Sequence, residues 1–485
     1  MCGFNFDTTY TELPSQFFTM QNVDQVVSPK IVIVNHELAN SLGLNFRELD
    51  KSQQAQLFSG NILPKGAKMF SQAYAGHQFG HFTMLGDGRA VVWGEHITKD
   101  KMRFDIQFKG SGKTPYSRRG DGKAALGPML REYIISEAMH YLNIPTTRSL
   151  AVAITGEQVM RETPLTGAIL TRVASSHIRV GTFEYAAALQ DRKLIKAMMD
   201  YSINRHFLSK IKKGENRAIS LIKIMIESQL NLIVNWMRVG FIHGVMNTDN
   251  MALSGETIDF GPCAFMDNYD PNTVFSSIDR HGRYAFANQP KIAQWNLARF
   301  VETLLPFIHQ DVDKAIKIGE EMLNNYTLSY KKKWLEMMKA KIGLFGEYKD
   351  DEILINNLLS LMKNKDADYT NTFINLSEIL ADEKKINLVN INGLESWVNR
   401  WKERLSKNKE PITESISIMN ISNPQVIPRN HKVEAALLSA EEGNFEQFYD
   451  LLEILKNPYK IDEKAKPFQK PPAPDERVHE TFCGT

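Results

Sequence analysis

The 485-residue sequence has few cysteines and almost no excess charge. Its three cysteines, Cys2, Cys263 and Cys483, are too few for a disulfide framework, which favours a reducing compartment. The net charge of +2 argues against a dedicated nucleic-acid-binding protein. We therefore expect a protein whose partners do not include nucleic acid.

The sequence also lacks the signals of membrane insertion and export. We identify no apolar run of the length that a membrane-spanning helix needs. No basic residue precedes Lys30, so the N-terminal stretch resembles neither a secretory signal nor an Arg-rich transit peptide. We expect a cytoplasmic protein with no membrane association, and a chain of this length is sufficient for two or three domains.

The stretch His243–Gly261 carries the clearest chemical signal. Asp249 and Asn250 are adjacent, a Ser-Gly pair predicts a tight hairpin, and Asp259 starts an Asp-Phe-Gly tripeptide after it. Asn and Asp oxygens held together suit Mg²⁺ on a polyphosphate. Protein kinases use this arrangement, in which a His-Arg-Asp-x-x-x-x-Asn loop precedes Asp-Phe-Gly.

One position departs from the kinase pattern. The catalytic Asp of a kinase would fall at Val245, and a valine cannot accept a proton. Either the protein is inactive or another residue does that work, for which Asp249 is the obvious substitute. A chance tripeptide, with Asp249 capping a turn, is the alternative from this stretch alone.

A β-rich stretch lies upstream. The pattern predicts strands on both sides of the turn Gly86–Arg89 and a third strand, Arg103–Lys109. A glycine turn lets backbone N–H groups approach phosphate, and Arg89 adds a planar cation. Lys109 ends the third strand, where a kinase has its phosphate-binding lysine. An ordinary hairpin turn is the alternative for the glycines.

The loop that follows is polar, glycine-rich and basic. Lys113, Arg118 and Arg119 make it cationic, and Asp121-Gly122 ends it. Such a loop fits an anionic ligand, whereas a solvated surface loop is the alternative. Its GSGKT run is not a P-loop, because that motif requires glycine where Gln107 stands.

The next helix offers a partner for the lysine. The pattern predicts a helix over Pro128–Leu142, on which either Glu132 or Glu137 would pair with Lys109. Further strands are predicted over Ser149–Thr155, over Gln158–Arg161 after a Gly156-Glu157 turn, and over Gly167–Ala174. Arg172 and Arg179 then supply more cationic charge than one γ-phosphate needs, unless they form structural salt bridges.

Two other features complete the pattern. His77 and His81 stand four residues apart, and we favour a structural role over a metal site because no third ligand is evident. The segment from Phe183 to Gly240 is helical in pattern, with a long buried helix over Arg217–Val239. Helices such as Lys291–Leu305 and Val312–Tyr326 follow.

Seven long motifs occur in one order: AYAGHQFGHF, LGDGRAV, QFKGSGKTPYSRRGDG, LREYIISEA, LTRVASSHIRVGTFE, GFIHGVMNTDNM and IDFGP. Together they resemble the selenoprotein O family over at least residues 70–310. The resemblance implies an α+β protein with a two-lobed, protein-kinase-like fold, which has a β-rich N-lobe, a helical C-lobe and additional C-terminal helices. It also implies a protein adenylyltransferase that binds ATP turned round relative to kinases and moves AMP onto Ser, Thr or Tyr hydroxyls of proteins.

The resemblance assigns roles to residues of this chain. Lys109 and Glu132 match the family's ion pair, Asp249 its proposed base, and Asn250 with Asp259 its ligands for Mg²⁺ or Mn²⁺. The family's other nucleotide contacts fall on Gly86, Gly88, Arg89, Asp121, Gly122, Arg172 and Arg179. The family often has selenocysteine or cysteine at the place of Cys483, which leads to the hypothesis of a Cys263–Cys483 disulfide.

The expected organisation has five segments. They are an N-terminal extension (1–70), an N-lobe (71–180), a helical C-lobe (181–310), a C-terminal helical region (311–460) and a Pro-rich flexible tail (461–485). We expect a monomer with ATP and proteins as substrates. An ATP-dependent kinase and a non-catalytic nucleotide-binding scaffold remain the alternatives.

Overall fold

The computed structural model describes residues 2–382, 393–460 and 462–482. Strands dominate the first third of the chain. The strands are β1 (Phe18–Met20), β2 (Lys30–Val34), β3 (Phe70–Gln72), β4 (Ala75–Gln78), β5 (His81–Met84), β6 (Ala90–Ile97), β7 (Arg103–Lys109), β8 (Ala124–Ala125), β9 (Arg148–Met160), β10 (Pro164–Ala174), β11 (Phe241–Ile242) and β12 (Ala264–Phe265).

Helices dominate the remainder. The helices are α1 (His36–Ser41), α2 (Lys51–Phe58), α3 (Leu126–Tyr141), α4 (Val180–Ala188), α5 (Arg192–Ser202), α6 (Arg217–Val239), α7 (Gln289–Ile308), α8 (Val312–Lys341), α9 (Asp351–Asn364), α10 (Tyr369–Ala381), α11 (Leu394–Leu405), α12 (Ile412–Ser422), α13 (Asn430–Glu441), α14 (Glu446–Leu455) and α15 (Lys466–Gln469). The protein is therefore of the mixed α+β class that the sequence predicts.

One antiparallel sheet organises the N-terminal part. Its strand order is β1-β3-β6-β7-β10-β9-β2, and β8 pairs with β10 at the side. The predicted N-terminal extension thus contributes β1 and β2 to the same sheet as the predicted N-lobe. The boundary at residue 70 stays a prediction.

The alternation of side chains along β7 places the site. Ile106 and Phe108 lie in a core cluster with Trp93 on one face of the sheet. Successive side chains of a strand point to opposite faces, so Gln107 and Lys109 face the other way. On that side α3 packs against β9 and β10, which brings the lysine toward this helix.

Helix α6 is bounded by a cap at each end. The side chain of Asn216 accepts a hydrogen bond from the Ile219 amide, and Gly240 ends the helix in a left-handed conformation. In the described part of the chain, α6 is the one helix that is long and apolar enough to cross a membrane. The prediction of no such segment is wrong for α6. A buried core helix passes the same test, and α6 packs against α7 and α8.

Two predicted hairpins are wrong. Strand β5 pairs with β4 instead of β6, because the chain already reverses at Phe79 and Gly80, which both have positive φ. The Gly86–Arg89 segment is therefore a crossing loop between two sheets. In the second case, Ala252 pairs with Arg179 and Thr257 with Thr146, so those backbone groups are not available for a hairpin with each other.

Several predicted elements are correct apart from their ends. Helix α3 begins two residues earlier than predicted, and α8 continues fifteen residues beyond Tyr326. The two strands predicted between residues 149 and 161 form the single strand β9. Gly156 lies within β9 with φ of 80°, so the glycine produces an irregular strand and not a turn.

Helix α13 packs against α3. The Glu441 carboxylate accepts a hydrogen bond from the Gly127 amide at 2.9 Å. Arg131 donates to Glu434 at 2.7 Å and to Asn430 at 2.9 Å. The start of α3 is thus held by residues three hundred positions later in the chain.

The described part of the tail contacts the segment that follows the Asp-Phe-Gly tripeptide. Thr481 is buried, its hydroxyl donates to the Pro262 carbonyl at 2.6 Å, and its amide donates to the Phe275 carbonyl at 2.7 Å. The sequence predicts mobility for this segment and does not predict this anchor beside the Asp-Phe-Gly tripeptide.

Candidate active site

A cleft of about 800 Å³ opens between the end of the sheet and the 245–262 segment. It has the size of an ordinary small-molecule site. It brings together all but one of the residues to which the family resemblance assigns an ion-pair, base, metal-ligand or nucleotide-contact role. Those in its lining are Gly86, Gly88, Arg89, Lys109, Asp121, Gly122, Arg172, Arg179, Asp249, Asn250 and Asp259. The exception is Glu132, which lies directly behind Lys109.

A group of four charged side chains, which we call the charge cluster, lies at the back of the cleft. Lys109 donates to Glu132 at 2.6 Å and to Asp259 at 2.7 Å. Arg172 donates through Nε to Glu132 at 2.8 Å and through Nη2 to Asp259 at 2.7 Å. Each carboxylate therefore joins the same two cations, and the four groups fix one another's positions.

The two carboxylates of the cluster remain ionised despite their burial. Burial by itself would raise the pKa of Asp259, but Lys109, Arg172 and Arg179 lower that pKa well below its ordinary value. Burial opposes Arg172 and Lys109 at Glu132 in the same way, and the pKa of Glu132 is also lowered. Asp259 keeps 23% of its side chain exposed to the cleft, so it can meet a ligand while ionised.

The structure decides between the two candidate glutamates of α3. Glu132 pairs with Lys109, whereas Glu137 accepts two hydrogen bonds from Arg148, at 2.8 and 2.7 Å, and one from Asn35 at 2.7 Å. Glu137 therefore ties α3 to the neighbouring strand and helix, and its carboxylate is fully engaged away from the cleft.

Arg179 connects three parts of the cleft. Its Nη1 donates to the backbone carbonyl of Asp249 at 3.2 Å and lies 3.7 Å from Asp259. Its Nη2 lies 3.8 Å from Asp87, and its guanidinium stacks 4.4 Å above the Tyr74 ring. The sequence did not single out Tyr74 or Asp87 as site residues, although Asp87 stands between two glycines that it did.

Asp249 is buried beside this arginine. Burial raises the pKa of Asp249 to about 6, although Arg179 opposes the change. Its Oδ1 atom is buried without a hydrogen-bond partner among the described residues. A buried acceptor without a hydrogen-bond partner lowers the stability of the fold, so its presence points to a functional role. A carboxylate with a pKa near 6 is suited to accept a proton near neutral pH.

Asn250 and Asp259 both belong to the 245–262 segment, and both line the cleft. The Asn250 amide nitrogen donates to the Val245 carbonyl at 2.9 Å, which leaves its oxygen as the group's acceptor. Asp259 has φ of 64°, a left-handed conformation that is uncommon for residues other than glycine. Val245, the valine at the kinase catalytic position, lines the cleft, and its backbone carbonyl accepts the hydrogen bond from Asn250.

The glycine loop is built for close approach. A Cβ atom on Gly86 would lie 2.4 Å from the Tyr116 ring, and one on Gly122 would lie 2.0 Å from the Gly112 carbonyl. Neither position can carry a side chain in this arrangement. Arg161 donates a hydrogen bond to the Asp121 carboxylate at 2.9 Å. Sequence reasoning did not select this arginine.

The basic loop reaches the cleft only in part. Arg118 and Arg119 line it, whereas Lys113 is exposed outside the lining. Arg118 donates to the Met84 carbonyl at 3.1 Å, which holds the loop against β5.

The two histidines have different surroundings. They lie on the β4–β5 hairpin, where His77 pairs with Glu184 at 2.5 Å and His81 is exposed. Among residues 2–382, 393–460 and 462–482, no group of three or more His, Cys, Asp or Glu side chains is placed to hold a metal. The structural role favoured for His77 agrees with this geometry.

Cys263 follows the Asp-Phe-Gly-Pro segment and is fully buried. Burial raises the pKa of the Cys263 thiol to about 12, which disfavours its reactive thiolate. Cys483 lies outside the described residues, so the Cys263–Cys483 disulfide stays a prediction.

Comparison with known proteins agrees with this geometry. The family model described as protein adenylyltransferase SelO matches residues 1–456. A protein of Nitrosococcus oceani named protein nucleotidyltransferase YdiU is 57% identical over 484 residues, which cover 100% of this chain and 98% of the relative. The proteins of the same name from Pelagibacter ubique and Clostridium botulinum are 53% and 54% identical, with 100% of this chain and 99% and 98% of the relatives covered. The chain therefore belongs to the protein adenylyltransferase SelO family.

Proposed function

We propose that this enzyme transfers AMP from ATP to Ser, Thr or Tyr hydroxyls of protein substrates and releases pyrophosphate. The observation that carries the proposal is the cleft itself, in which the buried cations Lys109, Arg172 and Arg179 line the same space as a buried carboxylate, Asp249, whose Oδ1 has no hydrogen-bond partner among the described residues. A polyphosphate needs the cations, and an acceptor hydroxyl needs a base.

The pairing within the cleft supports a kinase-like arrangement, which we include in the proposal. A lysine at a strand end is paired with a helix glutamate and with the aspartate of an Asp-Phe-Gly tripeptide. Those are the parts that position ATP phosphates in kinases. Two further arginines, Arg172 and Arg179, would allow ATP to lie in the reversed orientation that the family resemblance implies.

The reaction would be an in-line displacement at the α-phosphorus. The acceptor oxygen forms the new bond to phosphorus, the bond to the oxygen that bridges to the β-phosphate breaks, and pyrophosphate carries away the electron pair. Asp249 takes the proton of the hydroxyl. Lys109, Arg172 and Arg179 stabilise the negative charge that develops on the phosphate oxygens, which is usually the largest contribution to such catalysis.

A divalent cation, Mg²⁺ or Mn²⁺, fits the residues present. Asn250 and Asp259 would hold it with one amide and one carboxylate oxygen, and the unpartnered Oδ1 of Asp249 lies in the same cleft. Few protein ligands are expected, because Mg²⁺ in such sites is bound mainly by one or two side chains and substrate phosphates. When bound, the cation would neutralise phosphate charge.

The test uses ATP labelled separately at the α and γ phosphates, with purified protein, Mg²⁺ and a cell extract. We expect label to enter protein from the α position only. Asp259→Ala should abolish this transfer, and Asp249→Ala should lower it about 10²–10⁴-fold, the range for loss of a general base. Label from γ only would make the protein a kinase and refute the proposal.

Other results have equally definite meanings. If no label is transferred from either position while ATP still binds, the result would favour a non-catalytic scaffold. Val245 is the best sequence argument for that alternative. Full activity of either variant would refute the role given to that residue. We also propose that the protein is a monomer and that it is cytoplasmic, the latter because its low cysteine content favours a reducing compartment.

A further inference from the structure

The β4–β5 hairpin lies directly against the turn that carries Asp249. The His77 amide donates to the Thr248 hydroxyl at 2.7 Å, and the Phe79 amide donates to the Asn247 side-chain oxygen at 3.0 Å. The backbone of β4 and of the turn after it therefore binds the two side chains that immediately precede Asp249. The residues that make this contact belong to the AYAGHQFGHF motif, which has no other part in the proposed chemistry.

A buried carboxylate closes this contact from the other side. Thr248 donates its hydroxyl hydrogen to one oxygen of Glu184, and the other oxygen of Glu184 lies 2.5 Å from Nδ1 of His77. Thr248 has no exposed surface, and Glu184 is 5% exposed. The threonine hydroxyl thus both accepts and donates, which fixes its rotamer and the backbone to which it belongs.

Two glycines allow β4 and α4 to pack closely against Asp249. A Cβ atom on Gly76 would lie 2.4 Å from Oδ1 of Asp249, and one on Gly181 would lie 3.2 Å from its Cα. The first distance is impossible for a real contact, so the carboxylate occupies the space that a side chain on β4 would need. The hairpin, α4 and the turn therefore define where the carboxylate lies.

We propose that Glu184 and His77, acting through the Thr248 hydroxyl, are positioning residues that hold the Asp249 carboxylate at the reacting hydroxyl. The inference rests on the proposed function, in which Asp249 is the base. His77, Glu184 and Thr248 are all absent from the lining of the cleft, so their effect passes through the position of Asp249 and not through contact with ATP. A misplacement of about 1 Å is enough to cost up to about 10²-fold in rate.

The test compares two substitutions at one buried position. Thr248→Val keeps the shape of the side chain and removes the hydroxyl, whereas Thr248→Ser keeps the hydroxyl. The maximal rate of AMP transfer and the KM for ATP are measured with α-labelled ATP and extract protein. We expect Thr248→Val to lower the maximal rate at least tenfold with the KM within twofold of the parent. Thr248→Ser should retain most of the parent rate.

Glu184→Gln is the second variant, and it should show the same separation of rate from KM. The inference is overturned by a parent-like rate in Thr248→Val, by equal losses in the Ser and Val variants, or by loss of ATP affinity in Thr248→Val, which would assign the hydroxyl to the fold of the cleft.

Asp249→Asn, measured in parallel, separates this inference from the proposed function. If Asp249→Asn is inactive and Thr248→Val is parent-like, only the positioning role fails. If Asp249→Asn is active, the base assignment itself fails, and the positioning role with it.

Discussion

Two glutamates on α3 provide a controlled test of the charge cluster. Glu132 and Glu137 are both almost completely buried, at 2% and 4% exposure, and each is bound by an arginine through two nitrogens. Only Glu132 also binds Lys109. The substitutions Glu132→Gln and Glu137→Gln therefore make the same chemical change in similar surroundings, with only one of them at the cleft.

The expected cost in stability is similar for the two variants. Removal of one partner from a buried ion pair costs about 3–5 kcal/mol, because the remaining cation keeps its desolvation penalty. The glutamine side chain preserves shape, so we expect the lower end of this range, about 3 kcal/mol of unfolding free energy, in each variant. Chemical denaturation followed by far-UV circular dichroism measures this loss.

The expected effects on transfer differ. In Glu132→Gln, Lys109 and Arg172 retain only Asp259 as a common anionic partner. The two cations are then no longer held in the position that the phosphate requires. Loss of one preorganised group of this kind costs about 10²–10³-fold in rate. We expect transfer from α-labelled ATP to fall by that factor in Glu132→Gln and to stay within about twofold of the parent in Glu137→Gln. Equal transfer by the two variants would refute the assignment of the cluster to the phosphate site.

Three further predictions concern single groups. Because burial raises the pKa of Asp249 to about 6, and because a base must be deprotonated to act, maximal transfer should fall about tenfold per unit as the pH drops below 6; a flat profile from pH 5 to 7 would contradict this role. Burial, with Arg238, lowers the pKa of Lys341 well below its ordinary value, so the unfolded chain binds the extra proton. Unfolding free energy should therefore rise with pH as the pH approaches about 10.4, the ordinary pKa of a lysine in an unfolded chain, and urea titrations of Lys341→Met should lose that rise; an unchanged pH slope would count against it. Gly76→Ala should lower transfer with ATP affinity near that of the parent, since its Cβ would lie 2.4 Å from the Asp249 carboxylate, and unchanged transfer would argue against that contact.

The sequence was most informative where chemistry and periodicity coincide. Lys109 at the end of an alternating strand and Glu132 on an amphipathic helix are found together as predicted. The choice between Glu132 and Glu137 could not be made from spacing, since both face inward. It depends on Arg148, whose position follows from the register of β9 on β10, and that register is a tertiary property.

Local backbone conformation was the main source of error. The turn at Phe79 was missed because a phenylalanine with positive φ is rare, and only its packing in the finished structure makes that conformation acceptable. The later Gly-containing segment was then taken for the hairpin turn. The contact of Asp87 with Arg179 was missed for a related reason, because the burial of Asp87 follows from the way the loop crosses between sheets.

The grip of α13 on α3 has a consequence for how the enzyme is made. Ribosomes deliver Glu132 long before they deliver Glu434 and Glu441, which hold the start of α3 in place. A prematurely terminated product that ends after the Asp-Phe-Gly tripeptide would contain every charged residue in the lining of the cleft and yet lack the contacts that hold the start of α3. Such fragments should be poor catalysts, so that synthesis of the last helices acts as a check on completeness before the enzyme can modify other proteins.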